Sequence, residues 1–442
     1  MEERNKHEPQ ESVSLEAEPK PKQGLSRREM LKIAGIGGVG LLLGSVGAGG
    51  VLAGTGMLDG SRESSASPGT AGTQDSIPFY GAQQAGIVTP SQDFLCFASF
   101  DLTTNQVSEV IELLRTWTEA AARLSEGRPV GSESKNANLP PTDTGEAAGL
   151  HPGRLTLTFG AGASLFDGRF GLASKRPPAL IDLPRFAGDN LREEWCGGDI
   201  GVQVCANDLQ TAFHAVRNLA RLARGVAVLR WTQEGFQRTA GSSQGTETPR
   251  NLLGFKDGTG NPDTADAETM KKVVWAQAAD GPAWMNNGSY MVTRRIRMRI
   301  EVWDRSSLND QQATFGRYRD TGAPLGMGNE FDPIPLDRKS EKDAPVIPDN
   351  SHIRLAHGDG SVKILRRSYS YSSGIDHQTG QLDAGLFFIA YQRDPRTQFV
   401  PMQDRLAKQD KLNEYIVHVG SAVFACFPGV REGGYIGEGL FV

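Results

Sequence analysis

The sequence predicts an α+β protein built from two ferredoxin-like units behind an N-terminal leader. Three observations carry this. Residues 93–231 place short apolar strands and amphipathic helices in the order strand–helix–strand, strand–helix–strand. Residues 251–427 repeat that order coarsely, without residue-level repetition. The length of 442 residues exceeds one ordinary core and suits two domains.

The elements follow from periodicity. Asp93–Phe100 reads as the first strand. Asn105–Leu124 spaces Val107, Val110, Ile111, Leu114 and Trp117 along one helix face. Residues 125–150, rich in Gly, Pro, Ser and Asn, read as a long surface loop. Arg154–Phe159 and Ile200–Cys205 read as strands, Asp208–Ala223 as a second helix, and Val226–Trp231 as the closing strand. In the second unit Ser289–Trp303 alternates as one long strand and Gly385–Gln392 is an apolar strand. Thr397–Leu406 reads as a helix and Gly420–Phe427 as the last strand. A polar, Pro-bearing loop at 335–350 precedes His352. The expected division is a leader at 1–57, a linker at 58–80, an N-terminal domain at 81–245 and a C-terminal domain at 246–442.

Composition is globular, with 22% charged and 38% hydrophobic residues. The net charge of −5 gives no basic footprint for a nucleic-acid partner. Four cysteines lack zinc spacing; Cys196 and Cys205 are close enough in sequence for oxidation in an exported protein, or all four are small buried hydrophobes. The leader carries Ser26-Arg27-Arg28-Glu29-Met30-Leu31-Lys32 before a Gly- and Ala-rich apolar run from Ile33 to Met57. That is the pattern of a twin-arginine export signal, and its glycines make it a poor membrane anchor. It places the protein in the periplasm, the cell envelope or outside the cell. The Gly35–Gly40 match to GxGxxG lies inside this leader with no strand before it, so it marks no dinucleotide site.

Three segments carry chemistry. Gly254-Phe255-Lys256-Asp257-Gly258-Thr259-Gly260-Asn261-Pro262 puts a carboxylate and backbone N–H groups on a Gly-flanked loop. A plain turn is the alternative. A calcium loop through Asp257, Thr259, Asn261, Asp263 and Glu268 is disfavoured, because Pro262 stands where such a loop needs Gly. Ser351-His352-Ile353-Arg354-Leu355-Ala356-His357 offers His352 as an axial ligand for haem iron, although a lone His is more often structural. Ile364-Leu365-Arg366-Arg367-Ser368-Tyr369 reads as a strand whose adjacent arginines face opposite ways, one inward and one to solvent. Gly241–Gly245 matches GxSxG, but its polar flanks argue against a nucleophile elbow.

Taken in this order, these segments resemble the dye-decolourising haem peroxidases. The resemblance covers residues 80–440 and the leader. It is nearest to the exported branch associated with iron uptake, whose peroxidases are also called deferrochelatases. Gly254–Gly258 is similar to the family's Gly-x-x-Asp-Gly motif, Ser351–Ala356 to its proximal-histidine segment, and Arg366 to its distal arginine. Gly385–Pro395 resembles its late strand. The resemblance implies two ferredoxin-like domains of the dimeric α+β barrel type, with one haem b per chain in the C-terminal domain. It also implies His352 as iron ligand, with His357 as a competing imidazole. Gly258, Thr259 and Gly260 would lie against the haem. An acid near the last strand would hold His352; Glu414 is the expected one and Asp410 the alternative. After His352 the chain continues as His357-Gly358-Asp359-Gly360, a departure from the family pattern at the haem edge.

The implied reaction is reduction of hydrogen peroxide. Asp257 would move the proton between the peroxide oxygens, and Arg366 would stabilise charge on the leaving oxygen. Organic reductants would supply electrons, with Tyr369, Tyr371 and Tyr391 close in sequence to the site as candidate conduits or, as the plainer reading, ordinary strand-packing residues. Two other functions compete: release of iron from haem with the porphyrin intact, and haem carriage without catalysis. The resemblance further implies iron-uptake transport components as partners and a homo-oligomer.

Overall fold

The computed structural model describes residues 75–133, 135–237 and 247–442. The leader, most of the linker and the Gly241–Gly245 motif lie outside the described residues.

Strand β1 (Phe94–Leu102) leads into helix α1 (Val107–Ser125) and strand β2 (Thr156–Gly162). Strand β3 (Ile200–Ala206), helix α2 (Leu209–Leu222) and strand β4 (Ala227–Phe236) complete the first unit. The strand order is β2-β3-β1-β4, all antiparallel. Asp208 starts α2 by accepting a hydrogen bond from the Thr211 N–H at 2.7 Å. Both helices bury their apolar faces on one side of this sheet, with Val110, Leu114 and Trp117 against Ala98, Phe100, Phe159 and Val202.

The second unit begins with helix α3 (Ala267–Val273) and strand β5 (Ser289–Met298). Helices α4 (Ile300–Trp303), α5 (Leu308–Phe315) and α6 (His352–His357) precede strands β6 (Leu365–Arg366), β7 (Tyr369–Asp376) and β8 (Gln381–Gln392). Helix α7 (Phe399–Gln409), strand β9 (Ile416–Cys426) and helix α8 (Glu438–Phe441) end the chain. Here the order is β9-β5-β8-β7, the same ferredoxin-like order as in the first unit. The two sheets join at β2–β9 and β4–β7, which closes an eight-stranded antiparallel barrel. Closure leaves these strands no open edge. Strand β6 adds a short continuation beside β8.

The barrel interior holds Phe97, Trp231, Tyr369, Tyr371, Phe387, Tyr391 and Phe424. A separate cluster of Leu253, Phe255, Trp303, Phe315, Leu386, Leu412 and Tyr415 lies beside the strand–helix connections of the second unit.

Several boundaries differ from the periodicity. The long strand expected at 289–303 stops at Met298, where the chain turns into α4. Ile296, Met298 and Ile300 keep alternating through that point, but Trp303 turns back onto Phe255, 5.9 Å away between ring centroids. Strand β4 runs on to Phe236 through polar residues because Gln233 is buried, accepting from Arg295 Nε at 2.7 Å. All four cysteines are free; three are buried, and Cys196 is half-buried.

Asp189, on the long connection before β3, makes an ion pair with Arg294 of β5, and both side chains are almost fully buried. Replacing Asp189 with Ala strands the guanidinium. Urea denaturation is expected to show a loss of about 3–5 kcal/mol, and an unchanged midpoint would contradict it.

Candidate active site

Each functional side chain is set by its local backbone. Helix α6 starts at the buried Ser351, whose hydroxyl donates to the Pro348 carbonyl at 2.7 Å. Gly316, just after α5, has φ of 76°, and a Cβ there would stand 2.3 Å from Ile353 Cγ2. Only glycine lets α5 pack this closely on α6. His352 is the first residue of α6, and its ring meets Phe315 edge-on at 6.1 Å.

Asp410 lies between α7 and a following 3₁₀ turn. Its Oδ1 accepts from the Leu412 N–H at 2.8 Å, and its Oδ2 accepts from His352 Nδ1 at 2.6 Å. The carboxylate is almost wholly buried. Because it accepts, Nδ1 carries the proton and Nε2 keeps its lone pair. Burial by itself would disfavour the imidazolium. The Asp410 charge and hydrogen bond outweigh that and raise the His352 pKa.

Glu414, the carboxylate expected here, is instead exposed at the end of the 3₁₀ turn, where its backbone carbonyl accepts from Arg299. The three residues from Lys411 to Asn413 carry it past the ring. His357 ends α6 and is exposed. Five residues at about 100° each turn it well away from the face of His352.

The opposite side of the site is the Gly254–Pro262 loop. Gly258 has φ of 132°, a conformation open to glycine and strained for other residues. Thr259 Oγ1 donates to Glu330 Oε1 at 2.8 Å, and Lys256 Nζ meets Glu330 Oε2 at 2.6 Å. A Cβ on Gly260 would meet no atom within 4 Å. Asp257 Oδ1 accepts from Arg366 Nη1 at 2.7 Å, and Asn251 Nδ2 approaches Oδ2 at 3.5 Å. Arg366 pairs with Ala390 across the β6–β8 ladder, so it shares a face with Phe388 and Leu386. The Asp257 charge favours and the Arg366 charge disfavours the His352 imidazolium, and we take the space between the three groups as the candidate recess. Their side chains remain 19%, 26% and 32% exposed, respectively, so the recess is not sealed.

Arg367 departs from expectation. It points into the barrel rather than to solvent, with its guanidinium on the Thr89 carbonyl and Gln92. Tyr369, Tyr371 and Tyr391 are buried on that same inner side, and Tyr391 donates to Gln203 at 3.0 Å. None of the three is a surface conduit.

Sequence reasoning passed over Asn251 and Glu330 and weighed Asn261 only as a calcium-loop position, although all three touch the Asp257 loop or its neighbours. Their polar, loop-forming contexts carried no period. The calcium alternative finds no support in this arrangement: Thr259 turns to Glu330, and Asn261 turns to the Arg366 backbone.

The residues fit a haem. One imidazole offers Nε2, which meets no protein group among the described residues, and a carboxylate steadies its other nitrogen. A cation and a second carboxylate are paired at the same candidate site, the cation on the strand face that also carries Phe388. Asp410→Asn is expected to weaken haem retention or turnover about 10- to 100-fold. Glu414→Gln should leave both unchanged, and the reverse pattern in a haem titration would transfer the role to Glu414.

Residues 84–237 match the family described as Dyp-type peroxidase, N-terminal, and residues 248–431 match Dyp-type peroxidase, C-terminal. A protein from Escherichia coli named Deferrochelatase is 41% identical over 426 residues, spanning 94% of this chain and 96% of the relative. One of that name from Shigella flexneri is 42% identical over 402 residues, 88% of this chain and 94% of the relative. Among solved structures, ferric DtpA from Streptomyces lividans superposes with a TM-score of 0.78 at 39% identity, covering 84% of this chain and 99% of that one. A DyP-type peroxidase from Streptomyces coelicolor gives 0.77 at 40% identity, covering 82% and 96%. Matched in both halves and across nearly its whole length, the chain belongs to the Dyp-type haem peroxidases.

Proposed function

We propose that this enzyme reduces hydrogen peroxide at the recess between His352 and the Asp257–Arg366 pair and draws electrons from organic reductants. The single observation that carries the reading is the 2.7 Å contact between the Asp257 carboxylate and the Arg366 guanidinium. Haem, when bound, supplies the redox-active iron. His352 would hold it through Nε2, and Asp410 keeps that imidazole oriented and electron-rich. Gly258, Thr259 and Gly260 would border the haem, and the exposed His357 would not hold it.

Asp257 accepts the proton from the inner peroxide oxygen and delivers it to the outer one as the O–O bond breaks. Its partial burial and the neighbouring Arg366 keep it fixed for both steps. Arg366 donates to the outer oxygen while negative charge grows there.

Release of iron from haem is a second reading. The deferrochelatase name of the 41% identical relatives favours it, and it would use the same pocket. The twin-arginine leader adds a location. Export by that route would place the mature chain, with domains at 81–245 and 246–442, beside iron-uptake transport components, as a homo-oligomer.

Asp257→Asn and Arg366→Leu are expected to retain haem and lose about 10²–10⁴-fold in kcat/KM for peroxide. Turnover at the wild-type level in both would end the peroxidase assignment of these residues. His352→Ala should fail to hold haem in a spectroscopic titration, whereas His357→Ala should bind it normally; the opposite result would make His357 the ligand. Incubation of the haem-loaded protein under reducing conditions discriminates the second reading: porphyrin fluorescence that rises with released iron supports it, and a dark sample rejects it.

A further inference from the structure

Strand β6 is two residues long, and its outer side has no neighbouring strand among the described residues. The Arg367 N–H turns toward β8 and donates to the Ile389 carbonyl at 2.9 Å. The Arg366 N–H and carbonyl therefore point away from β8 and would be left open. Asn261 closes both. Its Oδ1 accepts from the Arg366 N–H at 3.0 Å, and its Nδ2 donates to the Arg366 carbonyl at 2.8 Å. One side-chain amide thus replaces the missing peptide partner on that edge. Asn suits the place because its side chain carries a donor and an acceptor in the geometry of a peptide group.

We propose that Asn261 is a positioning residue that sets the register between the Asp257 loop and the Arg366 strand. This rests on the reading of Asp257 and Arg366 as the peroxide-activating pair. Asn261 closes the loop's own turn, its N–H donating to the Gly258 carbonyl at 2.9 Å, and the Pro262 ring stiffens the backbone at the loop's exit. The loop has a second anchor. Glu330 grips Lys256 and Thr259, on either side of Asp257. These contacts divide the labour. Glu330 keeps the loop folded, and Asn261 fixes where that folded loop meets Arg366. Without Asn261, the Asp257–Arg366 ion pair is the remaining hydrogen-bonded tie between the Gly254–Pro262 loop and β6 among the described residues. A single part-buried ion pair made through a long, flexible side chain holds the two charges together but does not by itself set where the loop meets the strand.

The test compares Asn261→Ala with Asp257→Asn, Arg366→Leu and the Asn261→Ala/Asp257→Asn double variant, all haem-loaded. Asn261→Ala is expected to keep haem content and the thermal midpoint near wild type and to lose roughly ten- to a hundredfold in the bimolecular rate with peroxide. The double variant should lose less than the product of the two single losses, because Asn261 acts through the pair. A full additional loss in the double variant would show that Asn261 acts elsewhere and would overturn the proposal, as would a wild-type rate in Asn261→Ala. Fluoride titration of the ferric protein reads the register without turnover. Bound fluoride accepts from Arg366, so Asn261→Ala should weaken fluoride binding in the same direction as Arg366→Leu. If Asp257→Asn retains full activity, the catalytic reading of Asp257 fails, and the fluoride arm alone decides the register: weakened binding supports it and unchanged binding rejects it. Should Asn261→Ala not fold, Asn261→Asp takes its place, because it keeps the acceptor for the Arg366 N–H and removes the donor to the carbonyl.

Discussion

A carboxylate and a guanidinium held 2.7 Å apart at the edge of an open recess make demands on everything around them. Each must come from a segment that cannot drift. Arg366 is supplied by β6, which is fixed by its ladder with β8. Asp257 is supplied by a glycine-bent loop anchored to Glu330 on one side and to the Arg366 backbone on the other. Strand β8 then serves two purposes at once. Its Phe387, Ile389 and Tyr391 fill the barrel, while Leu386, Phe388 and Ala390 lie on the opposite face, the one that Arg366 shares. Period-two alternation lets one strand separate a packed interior from a reactive surface.

The proximal side is built by a different device. His352 gains its orientation from a carboxylate that is itself held by a backbone N–H. The Lys411 N–H donates to the Asn350 carbonyl at 3.0 Å, and Arg405 of α7 donates to the Leu355 carbonyl of α6 at 3.1 Å. Helices α6 and α7 are therefore fastened to each other directly around the His352–Asp410 bond. A short helix of six residues has little stability of its own and depends on such tertiary contacts.

The strand and helix pattern of the barrel was legible because burial imposes a period, and Phe94–Leu102 or Val107–Ser125 need little else. The active-site residues were legible through motif resemblance more than through spacing: nothing local in Ser351–His357 separates a ligand from a structural histidine. What stayed hidden required three dimensions. Asp410 and Glu414 are four residues apart, and only the 3₁₀ turn that begins at Asp410 decides which meets the ring. Arg367 was expected in solvent because exposure is the usual state of an arginine, but barrel closure turned that side of the strand inward. The role of Asn261 depends on an edge left by a two-residue strand, which no periodicity announces.

The central claim is that the recess activates peroxide rather than merely holding haem. Rapid-scan absorption of the haem-loaded protein mixed with one equivalent of hydrogen peroxide tests it most directly. The account predicts a fast, stoichiometric shift of the Soret band. No shift, or only slow bleaching, would contradict it and leave haem carriage or iron release as the function of this pocket.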